Sequence, residues 1–400
     1  MNQNRKTHRS RSLAKITRTF GGSAAGIHSI CEYGIIFFLY LVVGIFGCYQ
    51  VSVAQVELEA GQEDLETGRV IEVSTDEQLD LAIQEARPGD RIQIADGRYQ
   101  GIEFLGVRGT DEHPIVIAAK TPRMAVIEGS RSGRNARLSA CEFIDFEGLR
   151  FTNGKVWGVT LGPKSTDAST GEGACSRIRF INCEFDHAGQ ELLKINGGSQ
   201  YISVIGCDFH HSGMKQSGTS PYAEGVYIGE GATLTDRTHD ILILNNHFYS
   251  IGNERNGGEA IDVKRQAYRI QIIDNTIEDV VDYSGGAITV LIDPVDYPAD
   301  ATNPEVIVIG NRIRNVRKHP EGWTGGGICI GSNGVLVYRN EVSETEGPAF
   351  RVYTNAANTT GNVWVDRNVF QGDVLINQYG LRESDSPVAV DLKDNQVGVE

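Results

Sequence analysis

The chain has 400 residues, 37 of them Lys or Arg against 52 Asp or Glu, for a net charge of −15. A surface that acidic excludes nucleic acid and anionic membrane as natural partners, and it admits an acidic polysaccharide only where a cation or a local basic cluster reverses the field. Of seven cysteines, the five beyond residue 54 (Cys141, Cys175, Cys183, Cys207 and Cys329) form no disulfide framework and read as buried free thiols.

The first 54 residues differ in kind from the rest. Arg5, Lys6, Arg9, Arg11, Lys15 and Arg18 precede an uncharged run, Gly34–Val56, which carries small residues at Ser52 and Ala54. A basic start, an apolar centre and a small-x-Ala end predict a secretory signal cleaved after Ala54. An uncleaved membrane anchor is the rival reading, since about 20 uncharged residues can span a bilayer. A lipid-anchored Cys48 is a third. All three export the remainder, to the medium, the periplasm or the cell surface. Residues 55–68 read as a linker and 69–400 as one domain, expected to act as a monomer.

A helix comes next. In VIEVSTDEQLDLAIQEARPGD, Ser74 is placed to cap it with Glu77 three positions on. Leu79, Ala82 and Ile83 share one face, and Pro88-Gly89-Asp90 end the helix. Such a helix can cover the open end of a repeat stack. RIQIADGRYQGIEF, the turn RGTDEHPIVIAA and the strand AVIEGS follow. Residues 69–160 resemble the N-terminal region of the chondroitinase B and alginate lyase family, whose capping helix likewise ends in PGD and is followed by DGxY, a GTxxxPI turn and a strand ending in Gly-Ser. The resemblance implies a right-handed parallel β-helix that acts on polysaccharide.

From residue 178 the chain repeats itself. IRFINCEF, ISVIGCDF, ILILNNHF, IQIIDNTI, VIVIGNRI, VLVYRNEV and VWVDRNVF are seven versions of one strand, each with an Asn or Cys two residues before an apolar residue. The marked positions, Cys183, Cys207, Asn246, Asn275, Asn311, Asn340 and Asn368, are spaced by 24, 39, 29, 36, 29 and 28. A period of about 20–50 residues is the signature of stacked repeats, and short β-branched strands without helical periodicity make this one an all-β solenoid of about ten parallel rungs. Asn at the turn tolerates left-handed backbone, and its amide can reach the Asn one rung away.

A second register runs through ELLKIN, EGVYIG, EAIDVK, GAITVL, GGICIG and PAFRVY. Leu193, Val226, Ile261, Ile288, Ile328 and Phe350 form one inward column. Alternation then points Lys194, Tyr227, Asp262, Thr289, Cys329 and Arg351 to solvent. Glu191, Glu224 and Glu259 precede the inward column by two on three successive rungs, about 5 Å apart. Carboxylates that close repel unless a cation joins them, and hard oxygen ligands suit calcium. Ordinary turn glutamates paired with Lys194 and Lys264 are the alternative.

The lyase family carries a segment like ExEIISxKS, in which the Glu residues bind calcium and the Lys is the base. By that resemblance Glu259 takes the place of the second Glu and Lys264 of the Lys, while Gly257 stands where the first Glu falls and Gly285 where a second catalytic Arg falls. Elimination from a uronate needs its carboxylate neutralised, a base for the C5 proton and a proton donor for the leaving oxygen. Lys264 is the expected base, its pKa lowered by Arg265 and Arg269, with Tyr227 or Arg265 assisting. Lys194, Asp262, His187, His211 and Tyr222 are expected substrate contacts. His187 and His211 should stack with His210 beside them, which also leaves a transition metal or an acid/base pair open. Three functions follow: an exported, calcium-assisted polysaccharide lyase, a non-catalytic glycan-binding or surface protein, or a uronate C5-epimerase.

Overall fold

The computed structural model describes residues 68–129, 133–163, 172–215, 222–230, 236–264, 267–291, 304–331, 334–354, 362–378 and 389–398. The signal, anchor and lipid readings of the N-terminus lie outside them, as does Arg265. Among the described residues no helix is long and apolar enough to cross a membrane.

The chain winds as a right-handed parallel β-helix with three sheets. The first holds twelve strands, from Val70–Val73 to Ala389–Lys393, the second eleven, from Gly97–Gln100 to Gln396–Val397, and the third ten, from Ile102–Leu105 to Val374–Gln378. One central coil shows the order: Gln200–Ile205 in the first sheet, Asp208–His210 in the second, Val226–Ile228 in the third, then His239–Leu244 in the first again. Every strand pairing within the three sheets is parallel, with like residues opposite like, so Leu193, Val226, Ile261, Ile288, Ile328 and Phe350 do form one column. All six are buried. Aromatic residues stack up the interior in the same way, Phe151, Phe185, Phe209 and Phe248 having ring centroids 5.2, 4.6 and 4.8 Å apart.

The turn after each first-sheet strand carries the ladder. Asn246, Asn275, Asn311 and Asn340 each donate their backbone N–H to the side-chain oxygen of the Asn one rung on, at 2.8–3.0 Å, and Asn368 does the same to Asn395, which the repeat pattern missed. Each amide nitrogen also reaches a carbonyl of the preceding coil, Asn311 to Ile272 at 3.0 Å. Cys207 joins the ladder through its N–H to Asn246, and all five described cysteines are buried and unpaired. Asn311→Ala would leave the buried donors of Asn275 and the carbonyl of Ile272 unmatched. At about 1–3 kcal/mol per orphaned group, a loss of several kcal/mol is expected in urea unfolding. A loss under about 1 kcal/mol would mean that water replaces the ladder.

Two sequence expectations are corrected here. The helix spans Asp76–Gln84 and its cap is Thr75, not Ser74. Thr75 is extended and its hydroxyl accepts the Gln78 N–H at 3.3 Å, so the cap lies one residue later than expected, while Gln78 Oε1 accepts the N–H of Ser74, the residue before the cap, at 2.8 Å. Leu79, Ala82 and Ile83 do face the core. The second correction concerns the outer column of the third sheet, where Tyr227, Asp262, Thr289 and Cys329 are buried, at 5% exposure or less. Their strands are three residues long, and neighbouring side chains and backbone close over that face: Lys194 and Lys264 lie over the Tyr227 ring, and Lys264 pairs with Asp262. At Gly285, for example, a Cβ would lie 2.0 Å from the Thr289 hydroxyl.

Candidate metal and catalytic centre

Glu191, Glu224 and Glu259 stand on consecutive rungs, as their in-register strands require, and all are at least 96% buried. Carboxylate oxygens of Glu224, Glu259 and Asp262 lie within 4.8 Å of one another. The Lys264 ammonium is ion-paired with Asp262, and Lys194 lies 3.7 Å from Glu191 and 3.3 Å from Glu230. The Tyr227 ring separates the two lysines, 4.5 Å from Lys194 Nζ and 5.1 Å from Lys264 Nζ. Ser284 donates its hydroxyl to Glu259 at 3.1 Å. Asp282 nearby is a structural carboxylate, satisfied by the Thr324 hydroxyl at 2.6 Å and the Gly325 N–H at 2.7 Å.

Charge does not balance in this cluster. Four buried carboxylates face two ammoniums, and Glu191 Oε2, Glu224 Oε2 and Asp262 Oδ1 make no hydrogen bond. Burial pushes the Glu224 carboxyl well above its usual range, and Glu191 and Glu259 push it further. Burial and then Asp262 raise Glu259 to about 8, against the pull of Lys264. Burial also raises Asp262 and Glu191, partly offset by Lys264 and Lys194. Burial works against the Lys264 ammonium, but Asp262, Glu259 and Glu224 outweigh it and hold that group well above an ordinary lysine. The expected lowering by Arg269 is thus corrected: Arg269 pairs with Asp240 on the first sheet instead. An all-oxygen set with orphaned, converging carboxylates and surplus negative charge fits a hard divalent cation.

A pH dependence follows. Between about pH 5 and about 8 the folded protein keeps a proton on Glu259 that the unfolded chain has released. Stability in chelator should therefore fall as pH rises through that window, while Lys264, charged in both states throughout, adds no slope. Glu224→Gln with Glu259→Gln should flatten the fall in melting temperature. A wild type whose melting temperature holds constant from about pH 5 to about 8 would show that these carboxylates are already ionised and compensated.

The remaining expected contacts go elsewhere. His187 and His211 stack as expected, centroids 4.7 Å apart, but in a separate cluster on the second sheet. Tyr222 stands half exposed on a loop. Lys194 and Lys264 are not solvated surface lysines, with side chains only 18% and 20% exposed. Sequence reasoning missed Glu230, Ser284 and the place of Asp262 among the carboxylates. Asp262 carried a signal in its adjacency to Glu259, but alternation had turned it to water. The two glycines at lyase-motif positions are also closed to longer side chains. A Cβ at Gly257 would meet Tyr283 and His319 at 3.0–3.1 Å, and one at Gly285 would meet Thr289.

The chondroitinase B family model matches residues 73–192. That span covers the cap and the first coils and ends beside Glu191, before Glu224, Glu259 and Lys264. No curated protein matches the chain. Among solved structures, the alginate lyase from Paenibacillus sp. str. FPU-7 superposes with a TM-score of 0.51 at 17% identity, over 83% of this chain and 99% of that one. Pectate lyase Pel9A gives 0.48 at 16% identity over 83% and 80% of the two chains. The A-module of Azotobacter vinelandii mannuronan C-5 epimerase AlgE4 gives 0.47 at 13% over 83% and 94%. The fold is that of the parallel β-helix polysaccharide lyases. At these identities the likeness extends to the fold alone.

Proposed function

We propose that this protein acts outside the cytoplasm on a uronate-containing polysaccharide, cleaving it by β-elimination at the carboxylate ladder of the third sheet. The observation that carries the reading is the surplus of buried, orphaned carboxylate directly beside two lysines and a tyrosine. Glu191, Glu224, Glu259 and Asp262 are the residues that would hold calcium. Bound there, calcium supplies the positive charge that neutralises a uronate carboxylate and acidifies its C5 proton. Lys264 is the group assigned to take that proton. Its ammonium is locked by the carboxylates around it, so it serves as a base only when their charge is balanced. Tyr227, between the lysines, is assigned to protonate the leaving oxygen, and Lys194 to bind a sugar carboxylate.

A second reading, glycan binding without cleavage, is favoured by the Lys264–Asp262 ion pair and by the closed Gly285 position. Incubation with alginate, pectate and chondroitin, with and without EDTA, separates the two. Elimination creates a conjugated uronate double bond, so an EDTA-sensitive rise in ultraviolet absorbance with one of these glycans is the expected result. Binding without any such rise would establish the second reading instead.

A further inference from the structure

Three histidines converge on the outer side of the second sheet, and the carboxylate ladder uses none of them. His187 and His211 each follow a residue of the paired set Asp186–His210, so they occupy the same place on consecutive coils. Both have left-handed backbone, with φ of 53° and 55°. That shared conformation throws the two rings out parallel, 4° between their planes. His210 stands edge-on to both, its ring centroid 6.1 Å from His187 and 4.9 Å from His211. One ring nitrogen from each of the three lies within 4.8 Å of the other two.

The far sides of two of these rings are held by carboxylates. His187 Nδ1 lies 2.5 Å from Asp186 Oδ1, and His210 Nε2 lies 3.2 Å from Glu184 Oε1. An ionised carboxylate only accepts, so the ring nitrogen facing it carries the proton. That fixes the tautomers, and a neutral His187 keeps a lone pair on Nε2 while a neutral His210 keeps one on Nδ1. Asp186 is itself immobilised in full burial by Arg150 Nε at 2.8 Å and by the Thr152 hydroxyl. Carboxylates behind imidazoles are the arrangement that orients histidine ligands and raises their basicity toward a metal.

We propose that His187, His210 and His211 bind one divalent transition-metal ion, zinc in preference to calcium, at a site independent of the carboxylate ladder. Imidazole nitrogen selects d-block ions, whereas the ladder offers only oxygen. His210 Nδ1 and His211 Nδ1 are 2.7 Å apart, shorter than the ~3.3 Å that two ligands at ~2.0–2.1 Å subtend across a tetrahedral ion, so binding would part the two rings by about 0.6 Å. Without an ion the same contact is an N–H···N hydrogen bond. The His187 side chain is 37% exposed, and a cleft of ≈ 600 Å³ lined by His211, Ser250, Asn253 and Arg255 opens beside the cluster, so an ion can enter from solvent.

The test uses the full chain, stripped with EDTA and titrated with Zn²⁺ by calorimetry and with Co²⁺ by visible spectroscopy. One Zn²⁺ per chain is expected, along with Co²⁺ d–d bands lacking thiolate charge transfer. His187→Asn with His211→Asn should weaken Zn²⁺ binding at least tenfold and abolish the bands, and Glu184→Gln should weaken it about tenfold through His210. Glu224→Gln with Glu259→Gln should leave Zn²⁺ affinity unchanged, which separates this site from the proposed lyase centre. Circular dichroism melts of each variant confirm that it is folded. Absence of Zn²⁺ binding to the wild type, or binding that survives the double histidine substitution, would overturn the proposal.

Discussion

Ile261→Asp is expected to prevent the central coils from folding. Ile261 is fully buried, between Val226 and Ile288 in the inner column of the third sheet. A carboxylate there has no partner, and burying it costs several kcal/mol beyond the ~2–5 kcal/mol lost with the isoleucine side chain. Those terms together rival the ~5–15 kcal/mol that holds a whole domain. In a stack whose repeats contact only their neighbours, one failed rung also separates the coils on either side. The next residue makes the contrast. Asp262, on the opposite face of the same strand, is a tolerated carboxylate because Lys264 pairs with it. Ile261→Val should cost only about 0.5–1.5 kcal/mol. Far-ultraviolet circular dichroism on heating compares the three proteins, and an Ile261→Asp protein melting with the wild type would contradict the column.

Lys264→Arg is expected to lower turnover by about 10²–10⁴-fold, the usual contribution of a positioned base, while leaving the fold in place. Arginine keeps the ion pair with Asp262 but cannot release a proton near neutral pH. Lys264→Ala is the poorer probe. It strips the partner from a buried carboxylate, at a cost of about 3–5 kcal/mol, and confounds catalysis with stability. Were this lysine fully solvated, the alanine variant would leave the fold unharmed and report on catalysis alone. Lys194→Arg, two rungs earlier, is the control and should keep most of the activity. Initial rates on the best glycan decide the matter. Near-wild-type turnover in Lys264→Arg, or equal losses at both lysines, would remove Lys264 from the role of base.

The ladder Asn246–Asn275–Asn311–Asn340–Asn368 and the column through Ile261 were legible as spacing in the sequence. In a parallel coil each rung sets like on like, so one physical requirement, an amide at a turn or an apolar side chain in the core, recurs once per turn of chain. The three glutamates of the third sheet were legible for the same reason. The state of the site was not. Whether an outward residue meets water depends on which side chains of neighbouring rungs close over a three-residue strand, and no period encodes that. Tyr227, Asp262 and Thr289 were therefore misread as solvated. Lys264 was assigned neighbours close in sequence, Arg265 and Arg269. Its protonation answers instead to Asp262, Glu259 and Glu224, the last of them 40 residues back in sequence and one rung away in space. The sequence by itself determined the coil, its register and the rung each functional residue occupies, because these follow from repetition. Burial, charge balance and the pairing of Lys264 were decided only by the tertiary structure, because electrostatic energy depends on distances and desolvation that arise when separate rungs close on one another.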